Sequence, residues 1–338
     1  MNTGKLPNEL MNKLLAKIHS NDPRVILGPS LGEDAAIIAM ENRNLVVSSD
    51  PITFTSTDIG WYSVHINAND IATRGAKPLW FLATILAPPD TNESTIENVL
   101  SQIKETCNSL EIELVGGHTE ITEGVTNLIV SGTMLGETIN ESILRTSNIK
   151  SGDSILLTKH IGIEGTGVLA HEFENILLKS GIDKSLINEA QNFIFEPGLS
   201  IINEALFSMD NFQIKCMHDP TEGGLSTALI ELSESINKKL IIEEKNIPIS
   251  SITKEICKIL HIDPLGILSS GCLLIFCETS SAKALQQSLE TNNIQTSIIG
   301  KVVEGNGVHL LENEIEKPMP EFDRDEIARY ISETSKDI

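Results

Sequence analysis

Polar and apolar residues alternate with two different periods along the first half of the chain. Residues 94–110 place apolar side chains at the i, i+3, i+4 and i+7 spacing of a helix that faces a core. A second helix is predicted between Thr57 or Asp58 and Gly75, from its capping and stop residues. Short apolar runs of the kind that forms strands occupy residues 35–40, 45–49, 79–86, 112–115 and 127–135. Strands and helices therefore alternate, which predicts one α/β domain in this half.

A second domain is predicted after the polar segment 146–153, where the apolar pattern stops and then restarts. Residues 160–167 are rich in glycine and predict a turn, whereas residues 180–208 carry long helical patterns. Further strands are predicted at residues 154–159, 212–217, 239–243, 272–277 and 296–303. We therefore expect an α/β (α+β) fold with two domains, residues 1–148 and 149–338.

Composition and charge narrow the range of partners. The chain is 40% hydrophobic and 21% charged, which is typical of a folded globular protein. Its formal charge of −22 repels nucleic acid and anionic membranes, so neither is an expected partner, and a polyanionic substrate would need bridging metal ions. No apolar run approaches the roughly 20 residues that cross a bilayer. The N-terminal stretch lacks the order of a signal peptide, so a cytoplasmic protein is expected.

The helix predicted after residue 57 carries an unusual set of polar residues in the stretch INANDIATRGAKP. On a helical wheel, Asn67, Asp70 and Arg74 share one polar stripe beside an apolar face, and Asn69 points elsewhere. Such a stripe at the edge of a core presents a carboxylate and an amide to a bound ion or ligand. The alternatives are a solvated helix face or an internal salt bridge.

Two further acids lie at neighbouring strand ends. Asp34, in the motif GEDAA, precedes one strand of a predicted hairpin, and Asp50, in SSDPITF, follows the other. Two carboxylates at adjacent strand ends repel each other unless a cation lies between them, and Mg²⁺ or Ca²⁺ suits ligands that are all oxygen. The alternative is that both are ordinary turn and cap residues.

Two glycine-containing motifs complete the set. VGGHTE is expected to be a strand followed by a loop at residues 116–124, in which Gly116, Gly117 and Thr119 expose backbone groups and His118 contacts a ligand or carries a proton. A lone loop histidine is more often neither of these. HDPTEGGL, residues 218–225, is expected to open a helix.

In HDPTEGGL, Asp219 or Thr221 is expected to cap the helix. Two glycines follow this cap position, and glycines are costly inside a helix without a packing or ligand reason. The acids of this motif would oppose a phosphate unless a cation intervened. The common nucleotide-binding signatures G-x-x-x-x-G-K-[ST] and G-x-G-x-x-G are missing from the sequence. A nucleotide held through Mg²⁺ by acidic residues is the remaining physical option.

Taken together, GEDAA, SSDPITF, NANDIATRGAKP, GGHTE and HDPTEGG resemble the aminoimidazole ribonucleotide (AIR) synthetase superfamily in their order and intervals. The resemblance spans residues 30 to about 305. The superfamily includes AIR synthetase, thiamine-monophosphate kinase, selenophosphate synthetase and the hydrogenase maturation protein HypE. The form D-P-T-x-G-G-L looks most like the HypE branch.

This resemblance implies an N-terminal sheet that forms a barrel across a homodimer, a C-terminal α/β domain, and ATP held with Mg²⁺ in a cleft near the dimer interface. The implied activity is ATP-dependent phosphorylation or activation of an oxygen atom of an acceptor. Asp70, His118 and Asp219 are implied to be catalytic. The implied metal and phosphate ligands are Asp34, Asp50, Asp70 and Asp219. The implied nucleotide contacts are Asn67, Asn69, Gly116, Gly117, His118 and Thr119.

Two departures from the HypE pattern define the alternatives. The last residues of the sequence, ARYISETSKDI, contain no cysteine, whereas HypE ends in a reactive one, and His118 replaces an acid of HypE and thiamine-monophosphate kinase. One alternative is therefore an ATP-binding accessory protein that works through a maturation partner protein. Another is an acidic metal-binding dimer that binds no nucleotide.

Overall fold

A computed structural model describes residues 6–18, 20–53, 55 and 57–334 of the chain. The chain divides into two compact units. The N-terminal unit contains Ser20–Pro29 and Asp34–Ile143, and the C-terminal unit contains Met1–His19, Ser30–Glu33 and Leu144–Ile338. Helix α1 (Asn8–Leu15) belongs to the C-terminal unit. The domain boundary between residues 148 and 149 stays a prediction.

The N-terminal unit is a mixed sheet packed on two helices. Its strands lie in the order β1-β2-β3-β7-β5-β6, with the short β4 paired to β7, and only β5 and β6 run parallel. In chain order its elements are β1 (Val25–Leu27), β2 (Ala36–Ala39), β3 (Asn44–Ser48), β4 (Pro51–Ile52), α2 (Ile59–Thr73), β5 (Ala76–Ala87), α3 (Glu93–Ser109), β6 (Glu113–Ile121) and β7 (Ile129–Thr138).

Helix α2 lies against the sheet because strand β7 carries glycines beneath it. A Cβ atom at Gly132 would lie 2.4 Å from Nδ2 of Asn67, and one at Gly136 would lie 2.4 Å from Cγ2 of Ile71. Both distances are far below van der Waals contact, so any larger residue would push the helix away. Helix α3 packs on α2 and leaves it buried from Tyr62 to Thr73.

The burial of α2 changes the interpretation of its polar residues. Asn67, Asn69, Asp70 and Arg74 are all buried, so the alternative of a solvated face is wrong. The glycine-rich segment of the next motif also differs from expectation. Gly116 to Thr119 lie inside β6, which ends at Ile121, so the loop predicted at residues 116–124 is wrong over residues 116–121.

The C-terminal unit holds a second sheet of seven strands, in the order β14-β13-β10-β12-β8-β11-β9. All neighbouring pairs are antiparallel except β10 and β13. In chain order the elements are β8 (Asp153–Thr158), α4 (Ile163–Glu172), α5 (Glu174–Lys179), α6 (Lys184–Gln191), α7 (Ile202–Asn211), β9 (Ile214–His218), α8 (Gly224–Ile236), β10 (Lys239–Glu243), α9 (Ser251–Leu260), β11 (Leu274–Glu278), α10 (Thr279–Thr291), β12 (Thr296–Val303), β13 (Val308–Glu312), β14 (Ile315–Pro318) and α11 (Glu326–Thr334).

The core of this unit forms around β8 and β11. All six residues of β8 are buried, and Ile155, Leu157 and Phe276 belong to one apolar cluster with residues of α8. The glycine-rich stretch 160–167 is not the predicted turn throughout, because helix α4 already begins at Ile163. Gly165 allows this helix to pack closely, since a Cβ atom there would lie 2.7 Å from the carbonyl oxygen of Leu268.

The two sheet-containing units confirm the predicted mixed α/β (α+β) class. All five cysteines are free and buried. In the part of the chain that the structure describes, no helix is both long enough and apolar enough to span a bilayer. The barrel formed across a dimer stays a prediction.

Candidate active site

Two of the predicted aspartates in the N-terminal unit are joined by one serine. Ser48 ends strand β3, which pairs with β2, and this pairing places its hydroxyl beside the residue that leads into β2. Ser48 Oγ lies 2.5 Å from Oδ2 of Asp70 and 3.2 Å from the backbone oxygen of Asp34. The shorter contact is a donated hydrogen bond to a buried carboxylate, and it fixes the orientation of Asp70.

A buried arginine neutralises the first of these acids. Arg74 Nη2 donates to Oδ2 of Asp34 at 2.7 Å, and the Arg74 side chain is 0% exposed against 11% for Asp34. Arg74 Nε donates to Oγ1 of Thr73, whose hydroxyl donates to the backbone oxygen of Asp70. The predicted stripe therefore contains the internal salt bridge that was one of its alternatives. We call Asp34, Ser48, Asp70 and Arg74 the aspartate–arginine network.

Asn67 holds the backbone at the third aspartate. Its Oδ1 accepts from the backbone N–H of Asp50 at 2.8 Å, and its Nδ2 donates to the carbonyl oxygens of Ser63 and Asp50 at 2.8 and 3.2 Å. The backbone N–H of Gly132 also donates to the carbonyl oxygen of Asp50. Asp50 is exposed at its side chain, so this clamp presents a carboxylate to solvent two residues beyond Ser48.

The remaining predicted contacts of this unit lie in two different settings. Asn69 is fully buried on α2. Gly116, Gly117, His118 and Thr119 are exposed on β6. His118 Nε2 lies 3.4 Å from Oε2 of Glu120, with 66% of the histidine side chain exposed. The structure thus pairs His118 with Glu120 rather than with the aspartate–arginine network. The roles of these residues toward a nucleotide stay predictions.

The glycine pair in β6 has a packing reason. A Cβ atom at Gly117 would lie 2.0 Å from the backbone oxygen of Ala83 on β5, and the β5–β6 register shifts between Phe81 and Leu82. Only glycine fits a backbone approach this close. The sequence signal was therefore real, but the structure gives it a neighbouring strand as its cause.

Asp219 lies in the C-terminal unit, at the end of β9. It is 2% exposed and directly follows His218, which is also buried. Helix α8 begins at Gly224 with Gly223 as its N-cap in the left-handed conformation, so the prediction that Asp219 or Thr221 caps the helix is wrong. The metal and catalytic roles of Asp219 stay predictions.

The N-cap residue of α8 is held by a residue that sequence reasoning missed. Asp325 Oδ2 accepts from the backbone N–H of Gly223 at 2.8 Å, and its Oδ1 accepts from the N–H of Ile327 at 2.9 Å. Burial raises the pKa of Asp325 to about 7, although both backbone hydrogen bonds oppose the shift. The residue was missed because it lies 102 positions from Gly223, and no local pattern spans that separation.

A second buried acid was missed in the glycine-rich stretch. Glu164 lies in the first turn of α4, and burial raises its pKa to about 7. The Ser270 side chain lowers this pKa and the charge of Glu222 raises it, and both effects are smaller than that of burial. The available signal was an acid inside GIEGTG, a segment that otherwise looks like a turn.

The oxygen donors of the aspartate–arginine network and Asp50 suit Mg²⁺. Among the residues that the structure describes, no group of three or more His, Cys, Asp or Glu side chains is arranged to hold a metal ion. Mg²⁺ in nucleotide enzymes usually takes one or two carboxylates, with phosphates and waters as its other ligands. A metal that arrives with a nucleotide therefore fits these residues, whereas a permanent metal centre does not.

Family profiles match most of the chain. The profile described as AIR synthase related protein, N-terminal domain, matches residues 32–138, and the corresponding C-terminal domain profile matches residues 150–311. The chain belongs to the AIR synthase related protein family. The predicted superfamily is thus confirmed, together with its resemblance to the HypE branch.

Known relatives of this AIR synthase related protein are similar along nearly their whole length. A putative hydrogenase expression/formation protein from Methanocaldococcus jannaschii is 30% identical over 309 residues, which are 88% of either chain. A thiamine-monophosphate kinase from Pyrococcus abyssi is 29% identical over 292 residues, covering 83% of this chain and 85% of the kinase.

A solved structure shares the fold of the AIR synthase related chain. The crystal structure of the hydrogenase maturation protein HypE in complex with ATP superposes with a TM-score of 0.72. The alignment covers 97% of this chain and 98% of the HypE chain, at 19% sequence identity. This likeness shows the fold alone, so the ligands of the present chain are inferred from its own residues.

Proposed function

We propose that this AIR synthase related protein is an Mg²⁺-dependent ATP-using enzyme that phosphorylates or activates an oxygen atom of an acceptor molecule. The observation that carries the proposal is the aspartate–arginine network, in which Asp70 and Asp34 are held in place by Ser48 and Arg74. Asp50 is exposed two residues beyond Ser48, and its backbone N–H is held by Asn67 Oδ1. Oriented carboxylates of this kind suit an ion bound to phosphate oxygens.

Charge explains why a metal is required. A chain of net charge −22 repels the anionic phosphates of ATP. When bound, Mg²⁺ supplies neutralisation of the phosphate charge. Under the proposal, Asp34, Asp50 and Asp70 would contribute ligands to the ion, and Arg74 orients Asp34 through their ion pair. In phosphoryl transfer, positioning and neutralisation of this kind are the main contributions of the protein.

Similar proteins support this choice of ligand and reaction. One solved relative of the same fold is a HypE bound to ATP, and a curated relative is a thiamine-monophosphate kinase. Under the proposal, Asp70, His118 and Asp219 act on the reacting groups. Asn67, Asn69 and the residues Gly116 to Thr119 contribute to nucleotide binding, Asn67 through the backbone of Asp50.

The proposed enzyme acts as a homodimer. All nine residues of β6 are exposed, at an edge of the N-terminal sheet, and Leu114, Val115 and Ile121 present apolar side chains there. An exposed, apolar edge strand of this length is a template for pairing with another strand. The same strand of a second copy supplies the matching edge.

Turnover of ATP by an Asp70→Asn variant tests the proposed activity. Removing the charge of Asp70 should lower ADP or AMP release by about a hundredfold or more while leaving the fold intact, because a metal ligand is lost but the Ser48 contact can persist. Asp90→Asn is the matched control, since Asp90 is an exposed acid of the same unit. Equal turnover in wild type and Asp70→Asn would refute the site assignment.

A second candidate function is an ATP-binding accessory protein that acts through a maturation partner protein. It is favoured by the 30% identity to a putative hydrogenase expression/formation protein, a name that describes maturation rather than a reaction of its own. This candidate predicts ATP binding without product release and co-purification with a partner protein. Multiple-turnover ADP release that increases with a small-molecule acceptor would exclude it.

A further inference from the structure

The C-terminal unit contains an acidic cavity of about 480 Å³. One face of α8 forms its floor through Thr227, Ile230, Glu231 and Glu234, which follow each other at helical spacing. The segment before α11 and the residues at the start of α1 form its other walls. Among the residues that the structure describes, its charged lining consists of one arginine, Arg324, and six acids, Glu222, Glu231, Glu234, Glu321, Asp323 and Asp325.

Glu231 distinguishes this cavity from an ordinary solvated acidic surface. The residue is 7% exposed, and within the described part of the chain its carboxylate makes no hydrogen bond and no ion pair. Two of the other acids have partners, since Glu234 accepts from Asn8 Nδ2 at 3.2 Å and Asp325 accepts from two backbone N–H groups. A carboxylate that reaches solvent only through a cavity and has no protein partner is less well solvated than a surface one, so a cationic group in the cavity would stabilise it.

The size and lining of the cavity favour an organic cation over a metal ion. No group of three or more potential metal-ligating side chains is found among the described residues, and the volume falls in the range of small-molecule sites. Phe322, Ile230 and Leu6 contribute apolar walls. An aromatic ring beside carboxylates suits an alkyl ammonium group, which combines a charge with methylene groups.

We propose that this cavity binds an alkyl diamine or polyamine, with one ammonium group on Glu231 and a second on the rim acids Glu321 and Asp323. The site lies wholly within the C-terminal unit. It therefore goes beyond the proposed ATP chemistry, and its test does not depend on nucleotide. Two ammonium groups separated by a methylene chain match one deep acid and a pair of acids at the opening.

The test is a titration of the full chain with 1,4-diaminobutane, followed by calorimetry and by the thermal midpoint, at about 150 mM NaCl to screen diffuse attraction. We expect saturable binding to the wild type. Glu231→Gln should weaken it by about tenfold, because one charge-assisted contact is worth roughly that factor. Asp323→Asn changes an exposed residue, so the fold is not at risk, and it should weaken binding severalfold.

The matched control is Glu189→Gln, which removes the same charge from an exposed position on α6 of the same unit. Binding by this variant should equal that of the wild type. The proposal fails if the diamine does not bind saturably, or if Glu231→Gln and Glu189→Gln bind it equally well. It also fails if MgCl₂ alone produces a larger effect that Glu231→Gln removes, since the cavity would then hold a metal.

Discussion

Arg74 is a buried cation in the N-terminal unit, and its ion pair with Asp34 makes it sensitive to substitution. Replacing it by methionine keeps most of the side-chain volume but leaves Asp34 without its guanidinium. We expect Arg74→Met to lower the free energy of unfolding by about 3 kcal/mol, because removing one partner exposes the cost of a charge that stays largely buried. Urea unfolding of the purified chain measures this change.

Arg43→Met is the control for that experiment. Arg43 pairs with Glu137 at 3.0 Å, but its side chain is 63% exposed. A surface pair of this kind contributes between about 0 and 1 kcal/mol. Similar losses in the two variants would show that the aspartate–arginine network does not depend on the buried ion pair.

Glu164 gives the C-terminal unit a dependence on pH. Its pKa is raised from 4.5 to about 7 by burial. The stability that it contributes is therefore fully present below about pH 4.5 and is lost as the pH rises through about 7. At pH 8 we expect Glu164→Gln to be more stable than the wild type by up to about 3 kcal/mol, and therefore to unfold at a higher temperature. Near pH 5 the two proteins should be equally stable.

Thermal unfolding of both proteins at the two pH values checks this prediction, with Glu189→Gln as the control. The control variant should track the wild type at both values, because Glu189 is exposed on α6. A stability difference between Glu164→Gln and wild type that stays the same at pH 5 and pH 8 would contradict the assigned pKa.

At the scale of elements, the contact between α2 and β7 depends on two glycines. Gly132→Ala and Gly136→Ala each place a Cβ atom 2.4 Å from an α2 side chain. We expect either change to destabilise the chain by about 1–3 kcal/mol, since an overfilled contact forces a backbone shift. Gly132→Ala should also weaken ATP binding more than Gly136→Ala, because it displaces Asn67, which holds Asp50.

Chemical denaturation and an ATP titration of the two alanine variants provide the measurements. Gly124→Ala is the control, because a Cβ atom there meets its nearest neighbour at 3.5 Å. Nucleotide affinities that fall equally in Gly132→Ala and Gly136→Ala would argue against a specific role for the Asn67 clamp.

The exposed edge of β6 leads to a prediction about assembly. Val115→Lys puts a charge on the apolar edge strand, where 55% of the valine is exposed. If β6 pairs with its copy, this variant should be monomeric at concentrations at which the wild type is dimeric. Light scattering after size-exclusion chromatography measures the masses. Ile176→Lys on α5 is the control and should have the same mass as the wild type. A monomeric wild type would contradict the proposed homodimer.

Local patterns predicted the elements better than they predicted the site. Strands such as β10 and β12 coincide with their predicted ranges of 239–243 and 296–303, because burial on these strands follows the apolar runs. The polar stripe on the helical wheel of α2 was misleading. Its polar face is buried by contacts with β7 and α3, which lie 60 and about 30 residues away in the chain, and a helical wheel contains no information about them.

The candidate site shows the same division between local and distant information. Asp34, Asp50 and Asp70 were identified from motif order, and the structure joins Asp34 and Asp70 through Ser48. Neither the contact of Ser48 with Asp70 nor that of Asp325 with Gly223 was found, since each depends on a pairing between segments far apart in the chain. Glycines were noticed in β6 and before α8, but the cause that the structure gives for Gly117 is strand packing.

At the scale of the whole molecule, charge links the family membership to the proposed chemistry. A chain with 47 acidic and 25 basic residues opposes a nucleotide unless a divalent cation accompanies it. ATP and Mg²⁺ should therefore bind as one unit, and each alone should bind poorly. This dependence separates the proposal from an acidic metal-binding dimer that ignores nucleotide.

The most direct test is the thermal midpoint of the chain with ATP alone, Mg²⁺ alone and both together, in wild type and Asp70→Asn. A ligand at about 100 times its dissociation constant adds roughly 2.7 kcal/mol, which raises the midpoint by a few degrees. We predict this rise only for wild type with ATP and Mg²⁺ together, and its loss in Asp70→Asn. A wild type whose midpoint does not respond to the pair, or an Asp70→Asn variant that responds equally, would contradict the account.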